Sequence, residues 1–255
     1  MPHITYKEII ARSHYKKIKQ NKLYYWHRLL SLPITKVFFA LGVKPDTVSI
    51  MMILLSLISF ICMVNQSLIL FSIGFLLSFI AFLFDKVDGD LARLNSEDNV
   101  KGAVYDFVYH RLSLFLFYLG IGVHFSDNSY LIVPISAFAG FLANYIEEAQ
   151  MLSFRVFSHK VLLLGEKYSY TSPGTEKKTS IYSLLKILKL FRMQLFLFYY
   201  FLLVFLFEFL YSGSVFLSII FATFAMSVYV VFQLFFIHTY SFDTDLAKLT
   251  NKIGK

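Results

Sequence analysis

The sequence predicts an all-α fold: a polytopic membrane protein with six transmembrane helices and an N-terminal interfacial amphipathic helix. Three observations predict it. Hydrophobic residues make up 57% of the 255, 30 residues are Phe and the mean hydropathy is +0.63, more apolar surface than a soluble domain of this length can hide. Apolar runs of about 20 residues, the length that crosses a bilayer, recur along the chain. The basic residues avoid every second link between those runs, as the positive-inside rule requires.

Residues 4–31 mix Lys7, Arg12, Lys16, Lys17, Lys19 and Lys22 with Ile4, Tyr6, Ile9, Ile10, Tyr24, Tyr25 and Trp26. That pattern predicts an amphipathic helix lying on anionic headgroups. Six spans follow, at roughly Thr47–Val64, Leu68–Phe84, Val104–Phe125, Tyr130–Phe154, Met193–Tyr211 and Val215–Thr239. Three links contain no Lys or Arg: Asn65-Gln66-Ser67, Ser126-Asp127-Asn128-Ser129 and Ser212-Gly213-Ser214. The 24 basic residues fall in the N-terminal segment, the 155–192 connection, the C-terminal tail, and a cluster of Lys86, Arg93, Lys101 and Arg111 around the link between spans 2 and 3. All of these lie on one side, which is then cytoplasmic, with both termini inside. The expected organisation is a cytoplasmic or interfacial segment (1–45), a six-helix domain (46–240) and a cytoplasmic tail (241–255). Within the 155–192 connection, Ser172-Pro173-Gly174-Thr175 is a turn signal, and a second interfacial helix is expected from Lys177 to Arg192.

Composition also excludes. The first 45 residues are too long and too charged for a secretory leader, so the expectation is a multi-pass protein of the inner (cytoplasmic) membrane, with a prokaryote favoured. Cys62 is the only cysteine, which rules out an intrachain disulfide and a multi-thiolate metal site. The net charge of +8 and pI near 9.3 point, in a polytopic chain, to membrane lipids and phosphate ligands as partners and not to nucleic acid.

The chemistry sits where span 2 ends. From Asp85 the chain reads Asp85-x-x-Asp88-Gly89-x-x-Ala92-Arg93, eight residues, Gly102-x-x-x-Asp106-x-x-x-His110. A carboxylate at membrane depth costs roughly 2.5–3.5 kcal/mol on insertion scales, so two on one helical face call for a cation between them. Asp85 and Asp88, at i and i+3, share a face, as do Asp106 and His110 at i and i+4. The short connection Leu94–Lys101 makes the two helices antiparallel, so three carboxylates and an imidazole converge. Hard oxygen ligands of this kind suit Mg²⁺ or Mn²⁺. Gly89 and Ala92 leave room for a nucleotide against the backbone, and Arg93 offers a guanidinium for a phosphate.

This segment resembles the signature of the CDP-alcohol phosphatidyltransferase family, D-x-x-D-G-x-x-A-R, eight residues, G-x-x-x-D-x-x-x-D. Every fixed position matches except the last, where His110 stands. Upstream, Gly42-Val43-Lys44-Pro45-Asp46-Thr47-Val48-Ser49 is similar to the family's approach to its first span, with Ser49 in place of Thr. The resemblance covers about residues 30–240. It implies two metal ions, with Asp85 bridging both, Asp88 on the first and Asp106 on both. It further implies that Gly89, Ala92 and Arg93 hold the CDP moiety, with Asp46 near it, and that the protein is a homodimer. The implied reaction is attack by an alcohol hydroxyl on the β-phosphorus of a CDP-linked alcohol, CDP-diacylglycerol or similar, with release of CMP. Two cations roughly 3.5–4 Å apart would clamp the pyrophosphate.

In the family the last aspartate binds the second metal and takes the acceptor's proton. Three roles fit His110: the base itself, since imidazole titrates near neutral pH; the mark of a catalytically silent member that still binds metal and nucleotide; or a bystander, with Glu147 or Glu148 as base. Imidazole is softer than carboxylate, which favours Mn²⁺ at the second site. Glu147 and Glu148, at the inner end of span 4, would repel a phosphorylated acceptor, so a neutral, cationic or lipid alcohol is expected. A cation transporter is the rival from another class. It is disfavoured because the acids cluster at one face, Glu208 apart. His124 and His238 read as interface residues, and Gly120, Gly122 and Gly140 as points of close helix packing.

Overall fold

The computed structural model describes residues 4–12, 22–95, 100–145, 194–208 and 210–239. The inner end of span 4 with Glu147 and Glu148, the 155–192 connection and the tail lie outside the described residues. Every regular element among the described residues is helical. In order they are α1 (Tyr6–Arg12), α2 (Lys22–Ala40), α3 (Pro45–Met63), α4 (Leu68–Asn95), α5 (Val100–His124), a 3₁₀ turn (Ser126–Asn128), α6 (Ile132–Tyr145), α7 (Gln194–Glu208) and α8 (Ser214–Thr239).

Three of these, α3, α4 and α8, are long and apolar enough to cross a membrane, and α6 and α7 are shorter apolar helices. The 25-residue α5 carries Lys101, Asp106, His110 and Arg111 in its first half. Large apolar side chains stay exposed along the helices: Leu54, Ile58 and Ile61 on α3, Ile69 and Ile73 on α4, Leu217, Phe221 and Phe224 on α8. Contiguous apolar surface on this scale needs lipid against it. The protein is membrane-embedded.

The centre of the bundle is α3. Its buried face runs Pro45, Val48, Ser49, Met52, Ser56, Ser59, Met63, the three- and four-residue spacing of one helical stripe. Three serines on that stripe let neighbouring backbones come close. Accordingly α3 packs along both α4 and α5, which approach each other far less extensively. At the α3–α4 crossing, Ser59 Oγ donates to the carbonyl of Gly74 at 2.6 Å. A Cβ on Gly74 would lie 2.6 Å from the Ser59 carbonyl oxygen and 2.8 Å from the Met63 nitrogen. Beyond that crossing, Phe71, Phe75, Phe117, Tyr118 and Phe201 form an aromatic core joining α4, α5 and α7.

The segment ahead of α3 is built into the same body. Gly42, at φ 68°, closes α2 in the left-handed conformation that glycine adopts without cost. The Val43 N–H returns to the Phe38 carbonyl at 2.9 Å, and Pro45 opens α3 after extended Lys44. Ile34, Phe38 and Phe39 of α2 pack with Val48 of α3 and Val87 and Leu91 of α4. In α1, Thr5 and Glu8 form a reciprocal cap. Ile9 is buried with Leu32 and Leu94, and Arg12 Nη1 donates to the Leu94 carbonyl at 3.3 Å, on the last turn of α4. Where the sequence suggests one helix lying on headgroups, the described part is two helices with apolar side chains turned into the bundle.

Two of the three atoms nearest a Cβ on Gly74, the Ser59 oxygen and the Met63 nitrogen, are backbone and cannot rotate away. Gly74→Ala is expected to lower stability by about 1–3 kcal/mol, measured by denaturant unfolding in detergent micelles. Ile69→Ala, on the exposed face of the same helix, is expected to stay within about 0.5 kcal/mol of wild type.

Candidate metal centre

The start of α3, the end of α4 and the start of α5 meet at the Asp85–His110 segment. Position 85 on α4 and positions 106 and 110 on α5 bring Asp85, Asp106 and His110 together, with one ligand atom from each inside a 4.8 Å cluster. His110 Nε2 lies 3.4 Å from Asp85 Oδ1 and 3.3 Å from Asp106 Oδ1. Donors bonded at about 2.1 Å to one ion sit roughly 3.0–3.4 Å from each other, so these three residues fit a single small divalent cation. The Asp85 carboxylate is nearly buried, while the Asp106 side chain is 51% exposed, which leaves the ion a face open to water and to a phosphate.

Asp88 also reaches α3. Its Oδ2 accepts a hydrogen bond from Ser49 Oγ at 2.6 Å, and the same hydroxyl lies 3.2 Å from the Pro45 carbonyl. One hydrogen bond to one oxygen leaves the carboxylate with further acceptor sites, and the charges of Asp85 and Asp106 act on it. Asp46, at the first turn of α3, pairs with Lys101 at 3.2 Å. That contact raises the Lys101 pKa and ties the beginnings of α3 and α5 across the mouth of the site.

Three features escaped the sequence reading. Lys86 bonds to Asp85, and its ammonium lies 5.0 Å from the centre of the Phe82 ring. Asp90, almost wholly buried, is bonded by Arg28 of α2 and by Arg93 Nη2, the latter at 2.9 Å. His27 packs between Phe79 and Phe82 with ring centroids at 5.2 and 4.6 Å. Burial pushes the His27 imidazole down to about 4, and the Lys86 ammonium acts in the same direction, so His27 is neutral at physiological pH. The signals were weak ones: a third acid inside Asp85–Asp90, with Arg93 at i+3, and a His-Arg pair in an aromatic stretch.

Gly89 also has a different neighbour from the one its sequence position suggests. A Cβ there would lie 3.2 Å from Arg93 Nη2 and 3.4 Å from Nη1. The bare backbone at 89 is where the Arg93 guanidinium rests. Ala92, one residue before it, is half-buried. Glu208, the acid that stood apart, accepts the N–H groups of Gly213 and Val215 at 2.7 Å each and caps the start of α8. His124 Nδ1 lies 2.7 Å from the Asn65 carbonyl oxygen and the ring stacks on Phe71, an anchoring role at the far end of the bundle.

No protein-family model matches the chain, and no curated protein does. The site is read from its own geometry.

Adding Mn²⁺ to chelator-stripped protein is expected to raise Tm, since an ion at 100 times its Kd contributes about 2.7 kcal/mol to the folded state. Asp106→Asn is expected to remove most of that rise while leaving the metal-free Tm within a few degrees, because the Asp106 side chain is half exposed. Thermal unfolding of both proteins with and without Mn²⁺ measures it.

Proposed function

We propose that this protein is an integral membrane phosphotransferase that moves a substituted phosphate group from a CDP-linked alcohol to an acceptor hydroxyl, releasing CMP, in the synthesis of membrane or envelope lipids. One observation carries the reading: Asp85, Asp106 and His110 converge at the same end of the bundle that holds Asp88 and the Arg93 guanidinium. Cation ligands beside an arginine are what a pyrophosphate needs. The family resemblance supplies the cytidine.

On this reading the chain has six spans, α3 to α8, in the cytoplasmic membrane, with the site on the cytoplasmic side and the protein a homodimer. Asp85, Asp88, Asp106 and His110 would hold two Mg²⁺ or Mn²⁺ ions, with Asp85 and Asp106 on both and Asp88 on the first; bound there, the ions would supply positive charge against the pyrophosphate. Arg93 binds a phosphate oxygen, with Gly89 and Ala92 beside it and Asp46 near the nucleotide. The acceptor oxygen forms its bond to the β-phosphorus as the bond from that phosphorus to the bridging oxygen breaks, and CMP leaves with the electron pair. A carboxylate can ligate an ion and accept a proton through its two oxygens; a neutral imidazole has one lone pair and cannot do both at once. The acceptor's proton therefore goes to His110 when its lone pair is free of the ion, and to Glu147 or Glu148 when Nε2 is the ligand. The position of the site at the membrane boundary helps keep competing water from the phosphorus.

The experiment is CMP release from radiolabelled CDP-diacylglycerol and from CDP-linked small alcohols, in detergent with Mg²⁺ or Mn²⁺. Wild type is expected to release CMP only when an unphosphorylated alcohol acceptor is present. Asp85→Asn is expected to lower the rate by at least about 100-fold, the scale on which a transition-state charge stabiliser acts. His110→Asp is expected to shift the preference from Mn²⁺ towards Mg²⁺. Metal-dependent CDP binding without CMP from any donor would favour a silent binding protein instead.

A further inference from the structure

The Arg28–Asp90–Arg93 group lies outside the metal cluster and joins α2 to the end of α4. Arg28 and Asp90 are 4% and 1% exposed, whereas Arg93 is 26% exposed. Asp90 holds Arg93 through Nη2 at 2.9 Å, and the guanidinium rests on the bare backbone of Gly89. A guanidinium has five N–H donors in a planar fork, so with one committed to Asp90 and a quarter of the side chain accessible, donors remain for an anion.

Charge sets the problem. A carboxylate in contact with Arg93 orients it but also cancels its field, and a neutral pair attracts a phosphate poorly. Arg28 resolves this. It reaches the same carboxylate oxygen from the buried side, so the three groups sum to +1. The deeper guanidinium balances Asp90, and the outer one keeps its charge for a ligand.

Resting on the phosphotransferase reading, we infer that Arg28 and Asp90 are positioning residues for that site: Asp90 aims the Arg93 guanidinium at the donor's pyrophosphate, and Arg28 offsets the Asp90 charge so that Arg93 still attracts it. Helix α2 is therefore part of the substrate site and not a peripheral arm.

The test is the affinity of detergent-purified full-length protein for CDP with Mg²⁺, by isothermal titration calorimetry. Arg28→Gln leaves Asp90 to neutralise Arg93 and is expected to weaken CDP about tenfold, within the range of coupled neighbours. Adding Asp90→Asn restores the local charge of +1, so the double variant is expected to bind CDP at least about threefold more tightly than Arg28→Gln alone. A merely structural pair would move the Tm of these variants while leaving the CDP affinity of the folded proteins unchanged. Should Arg28→Gln fail to fold, Arg28→Met with Asp90→Leu removes the pair without stranding a charge; it is expected to weaken CDP, by no more than about tenfold. Wild-type affinity in Arg28→Gln, a double variant that binds no better than the single, or undiminished CDP affinity in the folded Met/Leu protein would overturn the inference alone. If wild type itself does not bind CDP, the phosphotransferase reading falls and takes this inference with it.

Discussion

Buried carboxylates need partners, and the inner end of α4 carries three within six residues. Asp85, Asp88 and Asp90 each meet a different neighbour: His110 of α5, Ser49 of α3 and Arg28 of α2. An unpaired carboxylate in this low-dielectric setting would cost several kcal/mol, so satisfying all three decides which helices surround α4 and at what height. The apolar remainder of the bundle tolerates sliding, because lipid and leucine are nearly equivalent neighbours. The polar end does not. It fixes the register in which Gly74 meets Ser59 and the aromatic core closes.

The same constraint links architecture to chemistry. Asp85 faces α5 and, with Asp106 and His110, makes a cluster of a size that fits an ion. Asp90 faces α2 and makes a charge-balanced support for Arg93. On the phosphotransferase proposal, this stretch of helix would present a cation site on one side and an anion site on another, the pairing a pyrophosphate ester requires. Gly89 lies between Asp85 and Asp90 in sequence, and its missing side chain leaves room for the Arg93 guanidinium.

Much of this was legible in the residue order. Helices α3, α5, α7 and α8 begin and end within a few residues of the apolar runs, because solvation alone sets those limits. Helix α4 runs 11 residues past Phe84, to Asn95; apolarity stops at the first aspartate, but backbone hydrogen bonding does not. The i, i+4 pair Asp106 and His110 came together as helical spacing requires, and Asp85 joined them across the link. The hydrogen bond from Ser49 to Asp88 crosses 39 residues of sequence and had no local signal. Nothing in the local pattern could have paired Arg28 with Asp90, which are 62 residues apart. A basic residue among aromatics looks the same whether it touches headgroups or a buried acid. Likewise Ile9 fits a lipid-facing stripe as well as the contact with Leu32 and Leu94 that it makes.

The phosphotransferase proposal requires a divalent cation between α4 and α5. Anomalous diffraction from crystals soaked in Mn²⁺ locates it: a manganese peak bonded to Asp85, Asp106 and His110 at about 2.1–2.3 Å is expected. Crystals in which His110 Nε2 still rests against both acids, with manganese elsewhere or absent, would contradict it.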